Sequence, residues 1–130
     1  HAGWRGTVAA VAAEAVLVMS SAYGTDPSQL LAGIGPSIGP CCYEVDAPVL
    51  DALAAAHPAL APQVTQPARP GHAMLDLQEA NRQQLLALGV PGSAIEVMPM
   101  CTACHPEVLF SDRKAGRRTG RFGALIMLAE

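Results

Sequence analysis

Two glycine-proline pairs stand within six residues in the segment Gly35-Pro36-Ser37-Ile38-Gly39-Pro40-Cys41-Cys42-Tyr43. Proline fixes φ and lacks an N–H, while glycine opens corners closed to other residues, so neither a helix nor a central strand can run through it. The chain must form a loop of defined shape here, and such loops often carry function. The same segment breaks the longest uncharged run, Pro27 to Tyr43, with three prolines and three glycines. That excludes the apolar helix of about 20 residues needed to span a bilayer. With 130 residues, 51% of them hydrophobic, the chain suits one domain over 1–130, and disordered or fibrous readings fall away. No basic stretch followed by an apolar one opens the chain, so no signal peptide is expected. Four cysteines, two of them adjacent, do not resemble a small secreted disulfide scaffold. The expected setting is a reducing cytoplasm.

Around the loop, the periodicity predicts a mixture of helices and strands. From Thr7, capped by Gly6-Thr7, the apolar positions Val8, Val11, Ala12, Ala15, Val16 and Met19 recur at helical steps, predicting one buried helix to Gly24. Thr25-Asp26-Pro27 predicts a turn or short helix start, and Leu31 to Ile34 a short buried strand. Asp46 and Pro48 predict a helix start, with Val49, Leu50, Leu53 and Ala54 on its apolar face to about Ala56. Residues Pro58 to Gly71 hold four prolines and no period, which predicts a surface connection. His57 and His72 then read as surface residues. Asp76 caps a helix from Leu77 to Leu88, burying Leu77, Ala80, Leu85 and Leu88 before Gly89 stops it. Ala94 to Met98 predicts a strand, Cys101 to Arg121 an irregular polar stretch, and Phe122 to Leu128 a closing strand. The first helix starts near the N-terminus with no strand before it, and so few strands make a thin sheet, which points to a fragment of a larger unit.

The net charge of −3 is unevenly spread. Residues 1–112 hold three basic and ten acidic side chains, while Arg113, Lys114, Arg117, Arg118 and Arg121 fall within nine positions. An acidic body repels a polyphosphate backbone, so nucleic-acid binding fits poorly and a phosphate-sized anion fits better. A solvated basic hairpin is the alternative. His1-Ala2-Gly3-Trp4-Arg5-Gly6 reads equally as a metal or acid–base histidine beside an anion-binding arginine, or as a capping loop whose tryptophan packs inward. Cys101-Thr102-Ala103-Cys104-His105 has the C-x-x-C spacing of a zinc knuckle or redox pair. The only other cysteines, Cys41 and Cys42, are adjacent, and adjacent side chains seldom reach one tetrahedral ion together. Reduced structural cysteines, an active-site wall and a metal site all remain open.

Three blocks, His1 to Gly6, Ile34 to Val45, and Phe110-Ser111-Asp112-Arg113 with Thr119-Gly120-Arg121, together resemble the YfiH-like multicopper polyphenol oxidase (laccase-domain) family. Its members are described as purine nucleoside phosphorylases with adenosine deaminase activity, and the resemblance is to their C-terminal half. It implies an α+β fold, with mixed sheets covered by helices in a layered α/β/β/α arrangement. It also implies zinc (or copper) held by two histidines and a cysteine, of which His1 is the single ligand in this chain. Alone, the chain would then be inactive and without tightly bound metal. The implied substrates are adenosine, inosine or methylthioadenosine with phosphate, and the protein is expected to be a monomer or homodimer, without nucleic acid or membrane as partners. Arg5, Ser111 and Arg113 are the expected catalytic groups, with Gly35, Ser37, Cys42 and Arg121 expected at phosphate or ribose. Asp112, Lys114 and Leu109 depart from the residues usual in the family. Competing readings are a cysteine-type hydrolase or peptidoglycan-precursor editing amidase, a laccase-like oxidase, and an anion-binding module without turnover.

Overall fold

The computed structural model describes residues 1–116 and 118–127. Its helices are α1 (Trp4–Val8), α2 (Val11–Tyr23), α3 (Ala47–Ala56), α4 (Ala61–Val64) and α5 (Leu77–Ala87). Its strands are β1 (Ala32–Ile34), β2 (Glu44–Asp46), β3 (Thr65–Pro67), β4 (His72–Leu75) and β5 (Ile95–Val97). β1 and β5 pair in parallel, with Gly33 opposite Glu96. β2, β4 and β3 form an antiparallel sheet in the order β2-β4-β3, with Val45 opposite Ala73 and Gln66 opposite Met74. The fold is the expected mixture of helices with parallel and antiparallel sheets.

α5 joins two separate cores. Leu77 and Ala80 pack with Tyr43, Val45, Val49, Leu53, Val64 and Leu75. Leu85, further along the same helix, packs with Val16, Val90 and Ile95. The sequence builds this helix cleanly. Asp76 accepts from the Glu79 N–H at 2.9 Å, and Gly89 takes a φ of +89° just past the last turn. Leu88 is half-buried beside the second core.

Several expectations need correction. The single helix from Thr7 to Gly24 is two helices, because Ala10 adopts a left-handed φ of 52° between α1 and α2. The break lets Trp4 and Val8 of α1 reach the first core while Val16 of α2 reaches the second. One straight helix would miss one of them. Thr7 does not cap a helix; it lies buried inside α1, whose N-cap is Gly3. Nor is α2 buried throughout, since Val11, Leu17, Val18 and Met19 are exposed and Val16 alone is buried.

Asp46 occupies the N-cap of α3 without a side-chain bond. The stretch from Pro58 to Gly71 is not a plain connection: it contains α4 and β3. His72 sits in β4, half-buried. His57 is also half-buried, its Nε2 2.9 Å from the Val8 carbonyl. Residues 122–127 are not a strand, and Leu128 lies outside the described residues. Among the described residues, no helix is long and apolar enough to cross a membrane.

Candidate functional site

The sequence block His1 to Gly6 folds back on itself. A Cβ on Gly3 would lie 3.0 Å from the His1 Nε2, and one on Gly6 would lie 3.1 Å from the His1 carbonyl oxygen. Both glycines are therefore the room into which His1 folds. Trp4 follows and packs against the first core. The Arg5 guanidinium carbon stacks 4.4 Å from the Trp4 ring centroid.

Trp4 opens onto a cleft of about 360 Å³, lined also by Tyr43, Glu44, Val45, Asp46, Val49, Arg69, His72 and Arg113. Arg113 comes to it from 69 residues away and donates through Nη1 to the Glu44 carbonyl at 2.8 Å. Arg69 also lines the cleft, its Nε 2.8 Å from Glu44 Oε1. Burial pushes the Tyr43 phenol above its ordinary pKa, while the positive charges of Arg113 and, less strongly, Arg5 oppose that rise. Two guanidinium groups thus act on one aromatic residue in the cleft wall. Such a place can hold an anion beside an aromatic ring system.

The other expected site residues lie elsewhere. Ser111 is buried, and its hydroxyl accepts from the Lys114 N–H at 3.4 Å in the turn that presents Arg113. Arg121 is exposed and reaches Asp112 Oδ1 at 3.3 Å. Arg117 of the same basic stretch lies outside the described residues. The Gly35 carbonyl accepts from Gln78 Nε2 at 2.8 Å. Ser37 forms a bridge with Cys101, its carbonyl accepting from the Thr102 N–H at 2.9 Å.

Sequence reasoning passed over Tyr43, Glu44, Arg69 and His72. Arg69 carried a usable signal, being one of three basic residues before residue 113. The cysteine expectation needs correction too. Cys41 and Cys42, although adjacent, meet Cys101 and Cys104 in one cluster, all four sulfurs lying within 4.8 Å of one another. Hydrogen bonding to Cys101, with burial and Cys104, pushes the Cys41 thiol up to about 12. Burial of Cys101 opposes its ionisation, yet the N–H groups of Gly39, Cys104 and Ala103 and the Cys41 thiol bring it down to about 6. Among the described residues, His1 belongs to no cluster of three candidate ligands. A single imidazole does not make the three-ligand site that a catalytic zinc requires.

The fold and motifs have known counterparts. Purine nucleoside phosphorylase YlmD of Geobacillus stearothermophilus is 45% identical over 126 residues, covering 97% of this chain and 46% of that protein. Adenosine deaminase RL5, from an unknown prokaryotic organism, is 39% identical over 121 residues, covering 93% of this chain and 46% of its own length. The crystal structure of the Bacillus licheniformis hypothetical protein YfiH superposes with a TM-score of 0.86 at 36% identity, over 91% of this chain and 44% of that one. The chain thus spans about half the length of the curated relatives it matches. Residues 1–129 match the family described as multi-copper polyphenol oxidoreductase laccase, and to that family the chain belongs.

Proposed function

We propose that this chain is the C-terminal half of a metal-dependent purine nucleoside phosphorylase that also deaminates adenosine. The names borne by its relatives support this reading. The observation that carries it is the position of Arg113, stacked near Tyr43 in a cleft that Trp4 also lines. Arg113 would hold phosphate in the cleft, Arg5 would add its positive charge from beside Trp4, outside the lining, and the aromatic wall would face the purine. In phosphorolysis a phosphate oxygen bonds to C1′ of the ribose as the bond from C1′ to the purine nitrogen breaks. The electron pair leaves with the base, which takes up a proton. Guanidinium groups favour this step by fixing the anion against C1′. Ser111 acts through the turn that holds Arg113, and is a positioning residue in this reading.

The family's metal, zinc or copper, would take His1 as one ligand, with a histidine and a cysteine supplied from outside this chain. The residues present do not complete that site. Gly35, Ser37, Cys42 and Arg121 stand apart from the cleft lining and have no assigned contact with substrate. The small-molecule substrates, the absence of nucleic acid as a partner and a cytoplasmic location belong to the same proposal, as does action as a monomer or homodimer.

The test is Arg113→Ala in the protein at the length its gene encodes, with adenosine and phosphate as substrates. The expected result is a phosphate KM raised on the order of 10-fold or more, the loss of a charge-assisted hydrogen-bond pair. Unchanged phosphate KM and kcat would remove Arg113 from the site and the carrying observation with it.

A further inference from the structure

Four thiols from two distant loops converge at one point, and the cleft chemistry uses none of them. The first loop begins with Gly39. The N–H groups of Cys42 and Tyr43 both donate to the Gly39 carbonyl at 3.0 Å, a tight turn started by Pro40. In a strand, neighbouring side chains point to opposite faces. This turn instead brings the Cys41 and Cys42 sulfurs to the same partner, 3.7 and 3.5 Å from the Cys104 Sγ. The second loop is a knuckle: the N–H groups of Cys104 and His105 donate to the Cys101 carbonyl at 3.1 and 3.2 Å. The Gly39 N–H donates to the Cys101 sulfur at 3.2 Å. The loops touch so closely that a Cβ on Gly39 would stand 3.2 Å from the Cys101 Cβ.

We infer that Cys41, Cys42, Cys101 and Cys104 form a structural four-thiolate zinc site, separate from any metal that His1 serves. Zinc bonded to sulfur at about 2.3 Å places tetrahedral ligands about 3.8 Å apart, close to the 3.7 and 3.5 Å contacts to Cys104. No two of the four sulfurs lie more than 4.8 Å apart, within about 1 Å of that spacing. Soft thiolates select zinc over hard cations, and four protein ligands leave no open position for substrate. Zinc displaces the four thiol protons to solvent and leaves a dianionic centre, which the Gly39 N–H partly offsets by its bond to Cys101. No oxidant is involved. The site holds the Gly-Pro loop against the wall after β5 and so fixes Tyr43, the residue that follows Cys42.

The test uses protein purified at the length its gene encodes, carrying His1→Ala to silence the other metal position. Zinc content and X-ray absorption are measured on the protein as isolated. Cobalt(II) is then titrated into the reduced apoprotein, and the sulfur-to-cobalt charge-transfer band is recorded. The expected result is one zinc per chain with a shell of sulfur alone, and an intense tetrahedral cobalt spectrum that is lost in Cys42→Ser and Cys104→Ser. Nitrogen or oxygen in the shell, iron or copper in place of zinc, or an undiminished band in both serine variants overturns the proposal. So does a cluster that forms a disulfide and takes no metal after reduction. The absorption measurement needs no cysteine variant, and it decides the matter even where a serine variant fails to fold.

Discussion

The Arg113 guanidinium carbon lies 4.9 Å from the centroid of the Tyr43 ring, while its Nη1 donates to the carbonyl of the next residue, Glu44, at 2.8 Å. One cation thereby holds both the aromatic wall and the first residue of β2. The phenol of Tyr43 is buried, and burial sets its acidity against the pull of that cation.

A pH dependence follows. The unfolded chain ionises Tyr43 near 10.0, and the folded chain ionises it higher because burial outweighs the arginines. The folded state keeps a proton that the unfolded state loses, so this contribution is intact below 10.0 and declines as pH rises above it. Urea unfolding at about pH 9 and about pH 11 should show stability falling more in the native protein than in Tyr43→Phe. Equal falls would mean that Tyr43 ionises alike in both states.

Thr7 is the hub of a buried polar network. Its hydroxyl accepts from Asn81 Nδ2 at 2.9 Å and donates to the Ala2 carbonyl at 3.2 Å, and its own carbonyl accepts from Gln84 Nε2 at 2.8 Å. Thr7→Val keeps the shape and strands one Asn81 donor. The expected loss is about 1–3 kcal/mol in unfolding free energy, read by urea denaturation. Thr7→Ser retains the hydroxyl and should preserve most of the stability. Equal losses in the two variants would put the cost down to packing of the methyl group.

Gly39→Ala would press a methyl group against Cys101 at 3.2 Å, where the contact atom is a Cβ that cannot swing away. Overpacking at such a point costs about 1–3 kcal/mol. Thermal unfolding should show the loss, and thiol-reagent kinetics should show Cys41 and Cys104 reacting faster as the loops part. Unaltered kinetics would mean that the loops accommodate the methyl without separating.

Leu53, 1% exposed, lies at the centre of the first core with Leu75, Val45 and Val64. Leu53→Ala should cost about 2–5 kcal/mol in chemical denaturation, the range for a large cavity in a packed interior. A loss below about 1 kcal/mol would indicate that α3 collapses into the space.

What could be read in advance depended on how local the signal was. α5 carries its cap at Asp76, its apolar positions and its glycine stop within fourteen residues, so its limits and buried face were legible. α3 was legible through Pro48, Val49 and Leu53. β1 and β5 were legible despite their three residues, whereas β2, β3 and β4 were missed because strands this short give almost no alternation and these lie against the proline-rich loop and the stretch from Pro58 to Gly71 that read as irregular. The break at Ala10 was invisible because alanine is the best helix former, and only tertiary packing of α1 and α2 on different cores turns the chain there. Arg5 and Arg113 could be picked by residue type, while their shared partner Tyr43 could not. The cysteine cluster depends on the bridge between Ser37 and Cys101, a pairing no local pattern encodes.

The loops that meet at the cysteines are separated by 62 positions between Cys42 and Cys104. Any bond made there closes a ring through about half of the chain, and the entropy of ring closure grows with the length enclosed. For a covalent cross-link over such a span, the polymer estimate is about 4 kcal/mol removed from the freedom of the unfolded chain. A tether at these sulfurs would therefore act mainly on the unfolded ensemble. It would raise the free energy of the unfolded chain without adding a contact to either core.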